Sequence, residues 1–250
     1  MKIKVVSTLV KAALLMALSV IFARFLSVMI PIAGFPALRL GFTNIPLILS
    51  GVFFGPFVGF LTGVLADLIG VVIWPQGPYH PGLTLTSGLE GFWAGMLFFQ
   101  LRIYKAKWNF KYLNAVVIIA LGILFMSTMK QPETLDFGSI VLIAAMVVVI
   151  AVYAALPAVL DWLFTRKQSL RKGIGFDKVA FMISINYIVN SVILNTFFLS
   201  QLFNKGYLVL LPGRLLAGLF LVPINSVVIF TVLRFLAKLD EEGNMKIQKN

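Results

Sequence analysis

Residues 39–70 read RLGFTNIPLILSGVFFGPFVGFLTGVLADLIG, and their reading decides the fold. Two apolar runs, 40–55 and 57–74, are divided by Gly55-Pro56, a pair that marks a tight turn between two helices. In the middle of the second run stands one carboxylate, Asp67. Its neighbours would be content in lipid, and it would not.

The rest of the chain decides between a soluble core and a membrane. Of its 250 residues 60% are hydrophobic and 12% charged, with a mean hydropathy of +0.99; a soluble domain carries about 25% charged residues. Recurrent apolar runs of roughly 17–25 residues predict an all-α integral membrane protein. Eight spans are expected, at 8–30, 40–55, 57–74, 82–101, 112–128, 139–165, 179–203 and 209–237. The runs are too continuous, and too free of alternation, for an outer-membrane barrel. The chain has no Cys and one His, His80, which excludes disulfides, thiolate chemistry and histidine-built metal sites. The opening MKIKVVSTLVKAALLMALSV has the charge and apolar run of a signal peptide, but no small-x-small cleavage site closes it; an uncleaved first helix is expected.

With the N-terminus placed inside, 16 of the 21 Lys and Arg residues fall in predicted internal segments. Arg24, Arg39, Lys130, Lys205 and Arg214 fall outside or in the outer half of a helix. The positive-inside rule thus predicts both termini in the cytoplasm, in a bacterial cytoplasmic membrane. The net charge of +12 is then topological and lipid-facing, with no call for nucleic acid.

Of the nine acidic residues only Asp67 and Glu90 lie deep in apolar spans. A charge at the bilayer centre costs on the order of 3 kcal/mol, so such a residue is paired or lines a cavity. Asp67 is about ten residues, roughly 15 Å, up its helix, and Glu90 a similar depth down the next. Arg24, Arg39 and Arg214 share that outer half, and Asn190 and Asn195 add polar groups from the seventh span. Together they predict a polar cavity open to the outside. The loop WPQGPYHPGLT at 74–84 lies above it, where Trp74, Tyr79 and His80 would close it as an aromatic lid. Against this stand two plainer readings: helix-clamping pairs such as Asp67–Arg24, and an ordinary belt of interfacial aromatics.

No phosphate-binding Gly-x-x-x-x-Gly-Lys-Ser/Thr loop, inverted repeat or nucleophile–base pair accompanies the cavity. An enzyme is therefore not expected, nor a cofactor or metal. Binding on behalf of another complex is the simplest reading. Ala13 and Ala17, with Ala12 beside them, form a small-residue stripe on which a partner helix, or another helix of this chain, can pack closely.

The stretch at 39–70, the loop GPYHPGLTLTSGLEG at 77–91 and LNTFFLSQLFNKGYLVLLPGRLLAGLFLVPIN at 194–225 resemble the substrate-binding S component of energy-coupling factor (ECF) vitamin transporters, folate type. The resemblance covers about 1–101 and 179–238. It implies a single membrane domain, a six-helix bundle in which 112–170 is an inserted helical pair. It also implies a vitamin bound from outside, a transmembrane coupling protein docked on Ala13 and Ala17, and two ATP-binding partner subunits; the chain itself would bind no ATP. A pterin offers an exocyclic amine and a ring N–H side by side, which match one carboxylate, Asp67 or Glu90. The glutamate carboxylates of folate would meet Arg39, Arg214 or Lys205. Another vitamin (riboflavin, pantothenate) on the same scaffold, and a self-sufficient secondary transporter, remain as alternatives.

Overall fold

A computed structural model describes residues 2–32, 35–75, 77–103, 110–128, 147–148, 151 and 175–247. All but three residues of 129–170, and with them nearly all of the expected span 139–165, lie outside the described residues. The chain runs α1 (Lys2–Phe25), β1 (Ser27–Ile32), β2 (Phe35–Gly41), α2 (Asn44–Phe54), α3 (Pro56–Ile73), α4 (Pro81–Ile103) and α5 (Phe110–Thr128). Then come α6 (Phe176–Leu202), whose middle third, Ile188–Asn195, is wound as a π-helix, and α7 (Tyr207–Ile247).

Among the described residues four helices are long and apolar enough to cross a membrane: Val6–Phe25, Pro56–Ile73, Phe176–Leu202 and Tyr207–Leu236. Asn44–Phe54 and Tyr112–Thr128 are apolar but shorter. The 23-residue α4 is long enough, but Thr84, Thr86, Ser87 and Glu90 make its first half polar.

The expectation of an all-helical chain needs one correction. The first helix does not continue to residue 30, and the second does not begin at 40. Between them Ser27–Ile32 and Phe35–Gly41 pair as an antiparallel hairpin, with Met29 opposite Arg39. Hydropathy cannot see this switch because the segment stays apolar throughout. Pro31 and Pro36 were the available signal: neither can donate a backbone bond, and the two face each other where the register shifts. The Gly55-Pro56 turn is as expected. Gly55 takes φ 94°, open to glycine, donates to the Gly51 carbonyl at 2.9 Å, and hands over to Pro56 in the first turn of α3.

Two kinds of packing hold the bundle. Helices α2, α3 and α4 meet backbone to backbone. A methyl group added at Gly91 would strike the Gly59 carbonyl, and one at Gly63 the Ser87 carbonyl. Across the same seam Ser50 donates to Thr62 at 2.8 Å, and Thr62 to the Val58 carbonyl at 2.8 Å. Helices α5, α6 and α7 instead meet through large side chains, among them Ile118, Phe125, Phe176, Met182, Leu215 and Ile229, all buried.

Candidate functional site

The hairpin, the ends of α1 and α3, the starts of α2 and α4, and the middle of α6 surround one cavity of about 210 Å³. From α1 comes Arg24, from β2 Arg39, from α3 Asp67 and from α4 Glu90. The loop before α4 gives Tyr79 and His80, α6 gives Asn195, and α7 gives Arg214. These are eight of the eleven residues that the sequence placed around the ligand. Two carboxylates and three guanidiniums thus share a polar space, as the cost of isolated charge within a span requires.

Asn190 is one exception. It is buried behind the cavity wall, where its amide donates to Asn186, whose own Nδ2 donates to the Glu90 carbonyl at 3.0 Å. It braces the backbone that carries Glu90. Ser191 and Asn195, four residues apart, face the cavity instead. That i, i+4 spacing was in the sequence, and it separates Asn195 from Asn190. The π-helical winding at 188–195 falls where these groups are presented; such wide turns are common at functional sites.

Asp67, Asn195 and Arg214 are held by neighbours the sequence reading did not single out. Thr84 donates to Asp67 Oδ2 at 2.7 Å and lies 3.4 Å from the Tyr79 hydroxyl. Thr86 donates to Asn195 at 2.8 Å. Arg214 is 5% exposed; its Nη1 donates to the carbonyl and the hydroxyl of Ser191, each at 3.2 Å. The Tyr187 hydroxyl donates to the Arg214 carbonyl at 2.7 Å. Arg24 lies close enough to Asp67 for the charges to attract, yet its Nε and Nη1 are buried with no hydrogen-bond partner. Its guanidinium passes directly over Gly70, where a Cβ would come within 2.8 Å of Nη2. On the hairpin, burial lowers the Arg39 pKa from the ordinary arginine value; repulsion from Arg24 adds to this, and attraction to Asp67 and Glu90 opposes it.

The loop above the site is held at one end. His80 Nδ1 accepts from the Gly82 amide at 3.1 Å, capping α4, and its ring lies 5.5 Å from that of Phe198. Trp74, expected in the lid, is 59% exposed and does not line the cavity. Lys205, expected near the glutamate carboxylates, is exposed after α6 and does not line the cavity.

At the other end of α1, Ala12 is buried while Ala13 and Ala17 are exposed. The stripe therefore divides. Ala12 serves the inside of this chain, and Ala13 and Ala17 face outward.

Fold and composition together define a multi-pass membrane protein, with a cavity lined by charged side chains within its bundle. The chain belongs to the ECF transporter substrate-specific component family, whose model matches residues 7–233. It is therefore a transporter component and not an enzyme. A similar protein is the folate transporter FolT of Clostridium novyi (strain NT), 33% identical over 121 residues. Those residues are 48% of this chain and 62% of that protein, so the match spans less than two thirds of the relative. A crystal structure of FolT bound with folic acid superposes with a TM-score of 0.54 at 18% identity, covering 91% of this chain and 94% of that one, a likeness of fold.

Proposed function

We propose that this chain is the folate-binding subunit of an ECF importer. It captures the vitamin from outside and passes it inward once docked on a partner complex that binds and spends ATP. The observation that carries the reading is the convergence of Arg24, Arg39, Asp67, Glu90, Asn195 and Arg214 from six elements on one cavity. In this reading both termini lie in the cytoplasm of a bacterial cell, as the distribution of basic residues predicts.

The donor pair of a pterin edge fits a carboxylate whose other lone pairs are already fixed. Asp67 is such a group, held by Thr84 and balanced by Arg24. Glu90 stands across the same space and serves as the second acceptor. The glutamate carboxylates of folate would lie toward Arg39 or Arg214, which remain charged at any physiological pH. The outward-facing Ala13 and Ala17 are the docking stripe for the coupling protein, because small residues let helix backbones approach in lipid.

Equilibrium binding of a vitamin panel to the detergent-purified chain, followed through its four Trp residues, tests this. Saturable folate binding at one site without ATP is expected. Binding of riboflavin or pantothenate in its place would keep the architecture and discard the pterin argument. Ion-driven vitamin flux into liposomes holding this chain alone would replace the proposal with a secondary transporter.

A further inference from the structure

The middle of α6 is wound wide, over Ile188–Asn195, a π-helix of 8 residues. Such winding is rare and mostly confined to single turns inside α-helices, so this stretch calls for support from outside its own backbone. Side chains supply it. The Tyr207 hydroxyl donates to the Val192 carbonyl at 2.8 Å. Arg214 Nη1 and the Thr196 hydroxyl donate to the Ser191 carbonyl, each at 3.2 Å. Two successive carbonyls of the wide turn are thus bonded by side chains, and Val192 is buried, where an unpaired carbonyl is costly. Tyr207 and Arg214 stand two helical turns apart, so one face of α7 grips the turn at both points.

The turn carries a wall of the cavity. Ser191 and Asn195 face the ligand space from it, and Leu199, Leu202 and Phe203 reach that space from the stretch that follows. Tightening 188–195 to ordinary α-winding would rotate these side chains relative to α4 and the hairpin. We infer that Tyr207 is a positioning residue for the cavity: its hydroxyl keeps the turn wide, and the wide turn aims Ser191 and Asn195 at the ligand. This role presupposes that the cavity is the vitamin site. Arg214 lines the cavity and Thr196 belongs to α6, whereas Tyr207 does not line the cavity and acts on the turn from another helix. Without its hydroxyl the Val192 carbonyl is returned to its own helix, and α-winding, which bonds each carbonyl to the amide four residues on, competes. Vitamin affinity then falls with the fraction of chains that keep the wide turn.

The test is binding of folate, or of the panel vitamin that takes its place, to Tyr207→Phe, alone and in an Asn195→Ala background. The variant keeps the ring and should fold, with binding weakened about three- to tenfold, the worth of one hydrogen bond. Much of that loss should disappear once Asn195 is replaced, because residues acting through one group are not additive. In crystals of the ligand-free Tyr207→Phe chain, 188–195 should tighten and Asn195 should leave the cavity wall. Unchanged affinity, an equal loss in both backgrounds, an unfolded variant, or crystals with the π-turn and Asn195 in place would overturn the assignment. An unaltered chain that binds no vitamin of the panel would sink the proposed function instead, and the crystals alone would then decide for or against Tyr207.

Discussion

The two sides of the bundle solve helix packing in lipid by opposite means. On the α2–α4 side there is almost no side chain in the seam: Gly51, Gly59, Gly91 and Gly95 bring backbones into contact. On the α5–α7 side the seam is filled by Phe, Leu, Ile and Met. Lipid tails are as apolar as leucine, so neither side gains from leaving water, and both rest on close packing. A glycine seam tolerates no added atom, while a side-chain seam loses only what is removed. Asp67 and Glu90 sit on the glycine side, on helices that cannot shift apart; Arg214 and Asn195 sit on the other. The site is framed between a rigid wall and a more adaptable one.

The sharpest way to break the comparison is to add volume on one side and subtract it on the other. Gly91→Val places two methyls against the α3 backbone and is expected to abolish recovery of monodisperse protein on size-exclusion chromatography. Ile118→Val removes one methylene from the opposite seam and should cost about 0.5–1.5 kcal/mol, leaving vitamin binding in place. Equal tolerance of the two changes would mean that the contacts at Gly59 and Gly91 do not hold α3 to α4.

Next in size is the charge on the rigid wall. Asp67→Asn keeps shape and removes the charge, and should weaken folate binding by about 1–3 kcal/mol, as for a hydrogen bond to a charged group. Thr84→Val leaves the carboxylate but frees its orientation; a smaller loss in the same titration is expected. A folded Asp67→Asn protein that binds unchanged would make Asp67 a structural charge and return the pterin contact to Glu90.

The difference between the two walls also explains what the sequence made legible. Charged residues in apolar spans are few and costly, so Arg24, Asp67, Glu90 and Arg214 announced themselves, and all four line the cavity. The hydroxyl groups that orient them did not. Thr84, Thr86 and Ser191 are too common in membrane helices to stand out, and their roles depend on distances between helices. The hairpin at 27–41 escaped notice because strand and span are both apolar there. The span at 112–128 is one the sequence assigns to an inserted pair; Ile118, Leu121 and Phe125 of that helix are buried in the main core, and its Asn114 donates to the Asp177 carbonyl at 2.7 Å. How closely that helix packs against its neighbours depends on tertiary contacts that hydropathy does not carry.

A finer probe of the rigid wall is Gly70, which the sequence gives no reason to notice. Its lack of a side chain leaves room for the Arg24 guanidinium, which lies directly over it. In Gly70→Ala the new methyl meets the far end of a flexible side chain, so the helix is expected to survive while the guanidinium moves aside. A several-fold loss of vitamin affinity, with an unchanged unfolding midpoint, is the expected result. An unchanged affinity would show that the position of Arg24 over Gly70 is incidental to binding.

The smallest expected effect on binding lies furthest from both walls. Ala13 and Ala17 face outward on α1, and neither lines the cavity. Replacing both with leucine adds apolar volume to a lipid-facing surface, which costs the isolated chain little. Vitamin affinity in detergent should therefore match the unaltered protein, whereas ATP-dependent uptake with the partner complex should fall, because two leucines hold an approaching helix away. The informative quantity is the ratio of the two effects. If uptake and binding fall together, the Ala13–Ala17 stretch of α1 supports the wall around the site. Uptake that survives intact would move the docking surface off this stripe altogether.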